Sequence, residues 1–357
     1  MTTDTEPADS VAPFDPYFDT LFRPFTSGCP VDPAAEVERF WAVPERYLPP
    51  ATDIHDDQVA GPHGRIPVRV HAPADGAPTG GAVVWVHGGS FVSGNLDVPE
   101  ADAVARALCV TSGCIVVSAT YHLAGPGTRF PVPHHDVLAA WRWARRHLEE
   151  RGLDPQRTAL GGASAGANLA AGVALHTRDT GEPQPAGLVL VYPTMHAHAQ
   201  PPSAELARKT ARLPPEFRCL PSAVDEMTRN YLGPETTEVP DHAMPGQADL
   251  HGLPPTLLIS AEYDDLRSSA EAFTTSLSEA AVPTHIRMEE GSPHGYLAHP
   301  VSPAFDRSVR AIAGFLRSVR GGSPLGTRLV SRSRDDLEAC AADVAPGPVT
   351  TMQCHCG

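Results

Sequence analysis

Apolar residues follow two periods along this chain, and the two periods alternate. Residues 65–71 switch between apolar and polar side chains as a half-buried strand does, whereas 82–87 is almost continuously apolar, as in a buried strand. The other predicted strands are 114–120, 158–161, 187–192, 256–260 and 285–288, and the predicted helices are 99–112, 134–151, 165–176, 268–281 and 303–319. Because parallel strands need a crossover that is usually a helix, this order predicts an α/β protein whose central sheet is mostly parallel and flanked by helices.

Three regions depart from this alternation. Residues 1–50 begin with a stretch, 1–12, that we expect to be disordered, and continue with a mixed apolar and acidic segment of helical spacing. Residues 195–235 are rich in Pro, Arg and Glu, and they predict an insertion over the sheet. The run Gly321-Gly-Ser-Pro-Leu-Gly predicts a flexible linker to a tail. The expected organisation is an N-terminal segment, 1–50, a main domain, 51–320, and a linker with a Cys-containing tail, 321–357.

Charge and composition exclude several classes of protein. A formal net charge of −15 repels nucleic-acid phosphates and anionic membranes, so neither is an expected partner. Lys209 is the one lysine, which excludes a Walker-type nucleotide loop and disfavours a Schiff-base mechanism. No basic-then-apolar start and no membrane-length apolar run is present, so we expect neither a signal peptide nor a membrane span. Seven cysteines, an odd number, then favour reduced thiols and a cytoplasmic location.

The residues Gly162-Ala-Ser-Ala-Gly166 match the pattern G-x-S-x-G in the context that gives this pattern chemical meaning. A predicted strand precedes them and a predicted helix follows, and the small residues between allow a sharp turn that exposes the central serine. Amide dipoles at the start of the helix then point at any oxyanion formed there. Ser164 is therefore the predicted nucleophile, with the N–H of Ala165 as an oxyanion donor.

A second glycine-containing loop, Val86-His-Gly-Gly-Ser-Phe91, follows a predicted buried strand. It precedes the serine in the chain, where folds of this type place the loop that supplies further oxyanion N–H groups. Glycine permits the unusual dihedral angles that aim such groups inward. Gly88, Gly89 and Ser90 are the predicted donors, and His87 is expected to anchor the loop rather than to act as a base.

This loop resembles the His-Gly-Gly-Gly loop of the hormone-sensitive-lipase family of α/β-hydrolases. Further stretches that carry the resemblance are Tyr121-His-Leu-Ala, Phe130-Pro with Asp136, and Asp249-Leu-His-Gly-Leu-Pro-Pro-Thr-Leu-Leu258. The resemblance implies an α/β-hydrolase fold with a helical cap, to which the N-terminal segment and the insertion 195–235 would contribute. The chain departs from the family where Ser90 replaces the third glycine and where Gly125-Pro-Gly-Thr replaces a Pro-Glu segment.

The resemblance also locates the other two members of a triad, which follow the serine in the chain order acid, then histidine. In Ala261-Glu-Tyr-Asp-Asp-Leu-Arg267, Asp264 occupies the position of the family's acid and Asp265 that of its proline. The alternative makes Asp265 or Glu262 the acid and Asp264 a helix cap. In Gly291-Ser-Pro-His-Gly-Tyr296, His294 matches the family's catalytic base.

These residues predict a serine hydrolase that cleaves carboxylic esters of small to medium acyl chains through an acyl-enzyme. Phe91 and Tyr296 adjoin the catalytic loops and are predicted to line the acyl pocket, whereas Trp41 and Tyr231 are either pocket residues of the cap or core residues. The expected partner is a small-molecule ester, no metal or organic cofactor is implied, and the oligomeric state is left open. Two alternatives remain: the same fold with amide or carbamate hydrolysis or dehydration, and a non-catalytic ligand receptor, a type that lacks a complete triad.

Other clusters of functional residue types have simpler explanations. His196-Ala-His198 lacks a third ligand at a recognisable spacing and predicts a solvated loop rather than a metal site. Asp136 either stabilises the oxyanion loop or compensates the charge of a helix start. The tail is expected to be disordered, with a metal chelate or a thioether-bridged peptide core as alternatives. The tail residues that prompt these alternatives are Thr350, Thr351, Cys354 and Cys356.

Overall fold

Eight strands form one sheet within the residues that the computed structural model describes, which are 13–28, 31–74, 78 and 81–320. The strands are β1 (Thr52–Gly61), β2 (Gly64–Pro73), β3 (Ala82–Val86), β4 (Ile115–Ala119), β5 (Thr158–Ala163), β6 (Leu188–Val191), β7 (Thr256–Tyr263) and β8 (Thr284–Pro293). Their order is β1-β2-β4-β3-β5-β6-β7-β8, and every pair from β4 onward is parallel. The carboxyl ends of β3, β5, β7 and β8 therefore meet at one edge, where α/β folds gather their functional loops.

Helices cover both faces of the sheet, so the predicted α/β class is confirmed. The helices are α1 (Pro16–Thr26), α2 (Pro33–Trp41), α3 (Asp102–Ser112), α4 (Val132–Glu150), α5 (Ala165–Asp179), α6 (Ala204–Thr210), α7 (Pro221–Leu232), α8 (Arg267–Glu279) and α9 (Pro303–Arg320). Among these described helices, none is both long and apolar enough to cross a membrane. The expected disorder at 1–12 and the expected linker and tail at 321–357 concern residues outside the described part.

Strand β1 was not predicted from the sequence. Its residues 52–61 are mostly polar, and along the strand only Val59 is buried. The strand nevertheless pairs antiparallel with β2 over its whole length, and a tight turn between Gly61 and Gly64 joins the two. Backbone pairing with β2, which makes β1 the edge strand of the sheet, therefore accounts for β1 better than an apolar face does.

Two apolar cores, one on each face of the sheet, hold the helices in place. Side chains alternate along β3, so that Val84 and Val86 enter the core shared with α4, α5 and α8. Val83 and Trp85 enter the core shared with α1, α3 and α9. Period-two alternation of a strand that is apolar on both faces explains why 82–86 has no polar positions.

An aromatic cluster joins the N-terminal helices to the insertion between β6 and β7. Phe217 in the insertion lies 5.2 Å from Phe22 of α1 and 4.4 Å from Phe40 of α2, measured between ring centroids. Phe25 of α1 meets the same ring edge-on at 5.2 Å. Aromatic pairs at such separations stabilise by about 0.5–1.5 kcal/mol each beyond their burial, so the two segments pack as one unit.

Candidate active site

Ser164 lies on the sharp turn between β5 and α5. Its backbone has φ 53° and ψ −118°, a combination that L-residues rarely adopt and that functional sites often retain. The turn needs glycine beside it, because a Cβ at Gly166 would collide with the carbonyl oxygens of Val86 and His87. The nucleophile turn and the loop after β3 are thus packed backbone against backbone.

A chain of two hydrogen bonds joins the three residues of the predicted triad. His294 Nε2 lies 3.1 Å from Ser164 Oγ, and His294 Nδ1 lies 2.7 Å from Asp264 Oδ2. Asp264 follows β7 and is 1% exposed, while His294 follows β8. The two histidine nitrogens therefore link a hydroxyl on one side to a buried carboxylate on the other.

The two alternative acids contact other partners. Asp265 accepts two hydrogen bonds from Arg218, at 2.8 and 2.9 Å, and a third from the N–H of Cys219. Glu262 pairs with Lys209 and accepts a hydrogen bond from the N–H of Gly291 at 2.5 Å. Asp264 also accepts from the N–H of Leu266 at 2.9 Å, so it caps the turn and contacts the histidine at once.

The environment of His294 raises its pKa above the ordinary value. Burial by itself lowers the pKa of this imidazole, because desolvation penalises the charged ring. The charge of Asp264 and its hydrogen bond more than offset this effect, and Glu100 adds to them. An imidazolium formed at this position is consequently stabilised.

Of the four predicted oxyanion donors, three N–H groups remain: two in the loop after β3 and one at the start of α5. The Gly88 N–H donates to Glu100 Oε2 at 2.6 Å and is therefore occupied. Within the described residues, the N–H groups of Gly89 and Ser90 have no backbone acceptor. Ala165 begins α5, where N–H groups have no intrahelical acceptor. Ser90 adopts φ 53°, which explains why the related loops carry glycine at this position.

Glu100 is a residue of the site that the sequence did not reveal. Its second carboxylate oxygen accepts a hydrogen bond from the Tyr192 hydroxyl at 2.6 Å, and its carbonyl accepts one from the Trp85 indole at 2.8 Å. It lies 12 residues beyond Gly88, and the intervening loop has no recognisable motif. The fold alone brings this carboxylate beneath the glycine loop.

A cavity of about 470 Å³ opens beside Ser164 and His294. The loop residues Gly88, Gly89 and Ser90 form one wall. Trp41, the last residue of α2, forms another, and its ring lies so close to Gly295 that a Cβ there would be 2.8 Å from it. Of the two aromatic residues considered for the cap, Trp41 thus lines the cavity.

Phe91 and Tyr296 do not line this cavity. Phe91 is fully buried and stacks on Tyr231 of α7, with 3.9 Å between ring centroids and 1° between planes. Tyr296 is also fully buried, and its hydroxyl lies 2.7 Å from Ser308 Oγ in α9. Both rings, together with Tyr231, are packed in the core. The loops that carry Phe91 and Tyr296 adjoin the site, but these two side chains point away from it.

Three further side chains bear on expectations from the sequence, of which only the role of Asp136 was left open. His87 is buried, and its ring nitrogens lie 2.8 Å from the Gly88 carbonyl and 2.9 Å from Thr120 Oγ1, so it anchors the loop. Asp136 binds the backbone and ring of His122 rather than the oxyanion loop. His196 is 7% exposed and contacts Ser269 Oγ at 2.8 Å, so the expected solvated loop is wrong at this residue.

The chain matches a protein family described by the alpha/beta hydrolase fold over residues 83–298, which is more than half its length. The matched region begins in β3 and includes Ser164, Asp264 and His294. The site described above therefore lies inside the part of the chain that defines this class of protein.

Curated relatives and solved structures assign the chain to a narrower group within this class, the esterases. A carboxylesterase from Mycobacterium tuberculosis is 34% identical over 332 residues, which cover 88% of this chain and 99% of that protein. An arylesterase from Saccharolobus solfataricus is 31% identical and covers 75% of this chain and 83% of that protein. The structure of an esterase from Pyrobaculum calidifontis has a TM-score of 0.70 at 30% identity and covers 86% of this chain and 99% of its own. The chain belongs to the α/β-hydrolase family, among its hormone-sensitive-lipase-like esterases, and is a carboxylesterase-like hydrolase.

Proposed function

We propose that this hydrolase cleaves carboxylic esters of small to medium acyl groups, with Ser164 as nucleophile, His294 as general base and Asp264 as the acid of the triad. The observation that carries the proposal is the unbroken chain of hydrogen bonds from Asp264 through His294 to Ser164 Oγ at the wall of the cavity. A serine is a weak nucleophile unless an oriented base takes its proton, and this arrangement supplies the base and its orientation.

The reaction runs in two half-reactions. Ser164 Oγ attacks the ester carbonyl while His294 Nε2 takes the hydroxyl proton, and the N–H groups of Gly89, Ser90 and Ala165 stabilise the oxyanion. The alcohol leaves with the proton that His294 returns, and Ser164 is left acylated. Water then attacks the acyl carbon, loses a proton to His294 and releases the carboxylic acid.

Glu100 acts on this reaction through the loop rather than on the substrate. Its hydrogen bond to the Gly88 N–H fixes the backbone just before the two loop donors. Preorganised donors stabilise a developing charge without having to reorient during the reaction. We assign Glu100 the role of a positioning residue.

The N-terminal helices and the insertion are proposed to form the cap. The support is the aromatic cluster around Phe217, which joins the two segments, and Trp41, which brings α2 to the wall of the cavity. A volume of about 470 Å³ lies at the small end of ligand cavities, which favours short and medium acyl chains over long ones.

The proposal includes a reducing compartment, the cytoplasm. Cys109 and Cys219, which lie within the described residues, are thiols rather than disulfides, and burial raises the pKa of Cys109 to about 12. Alkylation of the denatured, unreduced protein from its native host should modify all seven cysteines. A lower count by intact mass would contradict this part of the proposal.

Hydrolysis of p-nitrophenyl esters from acetate to laurate tests the main proposal. We expect turnover that falls beyond medium chain lengths and that Ser164→Ala reduces by more than about 10⁴-fold, because the covalent step is lost. Ser278→Ala, an exposed serine of α8, is the matched control. A folded protein without activity on any ester would overturn the proposal, and Ser164-dependent turnover of amides or carbamates alone would replace it with the related chemistry.

A further inference from the structure

Three histidines that are far apart in the sequence meet at the end of α5 remote from Ser164. His134 lies in α4, His176 in the last turn of α5, and His242 in the segment between α7 and β7. One ring nitrogen of each lies within 4.8 Å of the other two, and His134 Nε2 is 3.5 Å from His176 Nδ1. We call these residues the histidine cluster.

His134 is buried in a way that leaves it short of hydrogen-bond partners. The side chain is 1% exposed, and its Nδ1 has no partner among the described residues. The other nitrogen, Nε2, is the one that faces the cluster, 3.5 Å from His176 Nδ1. A neutral imidazole offers a lone pair at one of its two nitrogens, so with Nδ1 protonated Nε2 can bind a cation.

A carboxylate lies beside each of the other two rings, within hydrogen-bond distance at His242 and farther away at His176. Asp179 Oδ2 lies 2.8 Å from His242 Nε2, and Glu182 Oε1 lies 3.9 Å from His176 Nε2. In both rings the carboxylate is at Nε2, which leaves Nδ1 directed elsewhere. Histidines that bind metals have this pattern, in which the nitrogen that is not a ligand faces a carboxylate.

We propose that His134, His176 and His242 bind a divalent transition-metal ion, of which Zn²⁺ is the expected example, with water completing the coordination. Imidazole nitrogen is a preferred ligand of this class of ions, and three protein ligands with one water form a common zinc arrangement. Nitrogens bound tetrahedrally at about 2.0–2.1 Å from zinc lie about 3.3 Å apart. The nitrogens of His134 and His176 are already near this separation. Rotation of the partly exposed His242 ring would bring its nitrogen from within 4.8 Å of the other two to the same separation.

The metal would act as a structural clasp rather than in the reaction. His176 lies 12 residues along α5 from Ser164, which at a rise of about 1.5 Å per residue is a separation of about 18 Å. The clasp joins α4 and α5 to the segment that returns from α7. Gly172 permits the close approach, because a Cβ there would collide with the His242 carbonyl oxygen. Helix α7 carries Tyr231, which stacks on Phe91 beside the oxyanion loop, so the clasp stabilises the base of the proposed cap.

Metal binding can be measured on the full chain, provided that the tail is prevented from contributing. The tail residues Cys354, His355 and Cys356 are a second possible chelate, so the reference protein carries Cys354→Ser and Cys356→Ser and has no polyhistidine tag. After removal of metal with a chelator, the protein is titrated with Zn²⁺ and the bound metal is counted by elemental analysis. Co²⁺ is added in a parallel titration, because its visible absorption reports coordination number and ligand type.

The variants are His242→Ala and His176→Ala, with His251→Ala as the control. His251 is exposed and its ring lies 2.6 Å from Asp249 Oδ1, so it resembles His242 in its carboxylate partner but lies outside the cluster. Esterase activity shows that each variant is folded. We expect one Zn²⁺ per chain, a four-coordinate Co²⁺ spectrum and a rise in Tm of about 2–5 °C with excess Zn²⁺. We expect all three to be lost in the cluster variants and retained in the control.

Two results would overturn the proposal. One is that the tail-substituted protein binds no Zn²⁺ while the unsubstituted chain does, which would place the metal in the tail. The other is that His242→Ala and His176→Ala, both active as esterases, bind Zn²⁺ as tightly as the control.

Discussion

The two ends of helix α5 differ in how they place polar groups. At its start, Ser164 lines a cavity, and its geometry depends on a strained backbone and on glycines that allow close packing. At its last turn, His176 meets two rings from distant parts of the chain in a partly buried cluster. The first end is built locally and opens toward a ligand, whereas the second is built by tertiary contacts and holds elements together.

The two ends of α5 should therefore control different properties of the enzyme. Changes near Ser164 act on groups that stabilise a transition state, so they should alter rates more than stability. Changes near His176 act on packing and on the partners of buried polar groups, so they should alter stability more than rates.

Asp264→Asn should have the largest effect, a loss of about 10³–10⁴-fold in kcat, because the amide favours the wrong imidazole tautomer. Asp265→Asn is the control, since that carboxylate binds Arg218 instead of His294. Steady-state kinetics on p-nitrophenyl acetate measure both. Comparable losses in the two variants would mean that the acid has been assigned to the wrong residue.

A methyl group added at either end of α5 should separate rate from stability. Gly166→Ala forces the backbone away from Val86 and His87, and Gly172→Ala forces it away from His242. Overpacking of this kind costs about 1–3 kcal/mol, so both variants should lose several degrees in Tm. We expect only Gly166→Ala to lose kcat as well. An equal loss of kcat in Gly172→Ala would show that the remote end of α5 is coupled to the chemistry.

Glu100→Gln should lower kcat/KM about tenfold, because the loop before the oxyanion donors loses a charged acceptor but keeps its shape. The exposed Asp97→Asn is the matched control, since its contact with Arg69 is at the surface. If Glu100 is only structural, Tm will fall and the ratio of kcat/KM values for the two variants will stay near one.

The pH dependence of kcat/KM should be the mildest signature. The base must be neutral to take the serine proton, and Asp264 raises the pKa of His294 despite its burial. Activity should therefore decline as the pH falls, with its midpoint above 6.5, the ordinary value. Removal of bound metal should leave this midpoint in place. A midpoint below 6.5 would indicate that desolvation dominates at the base.

The sequence predicts the locally encoded parts of this molecule and misses those made by tertiary contacts. The turn around Ser164 and the positions of Asp264 and His294 follow from motifs whose order along the chain is fixed by the fold. Glu100 and the histidine cluster have no such spacing, since 42 residues separate His134 from His176 and 66 separate His176 from His242.

The direction of a side chain is a further limit on sequence prediction. Phe91 and Tyr296 are next to catalytic loops in the sequence, and both were expected in the pocket. Positive φ at Phe91 and a hydrogen bond between the hydroxyls of Tyr296 and Ser308 turn the two rings into the core instead. Adjacency along the chain therefore locates a loop, but it does not say which of its side chains face the ligand.

Trp41 brings one wall of the substrate cavity from a helix that precedes every strand of the sheet. The exposed side chains of α2 around Trp41 can therefore be varied while the strands, the triad and the glycine loop keep their sequence, whereas α1 has to keep Phe18 and Phe22, which pack in the core with Val83 and Trp85. For laboratory evolution, this makes α2 a compact target: a library confined to its exposed positions varies one wall of the cavity and leaves the core of the sheet unchanged.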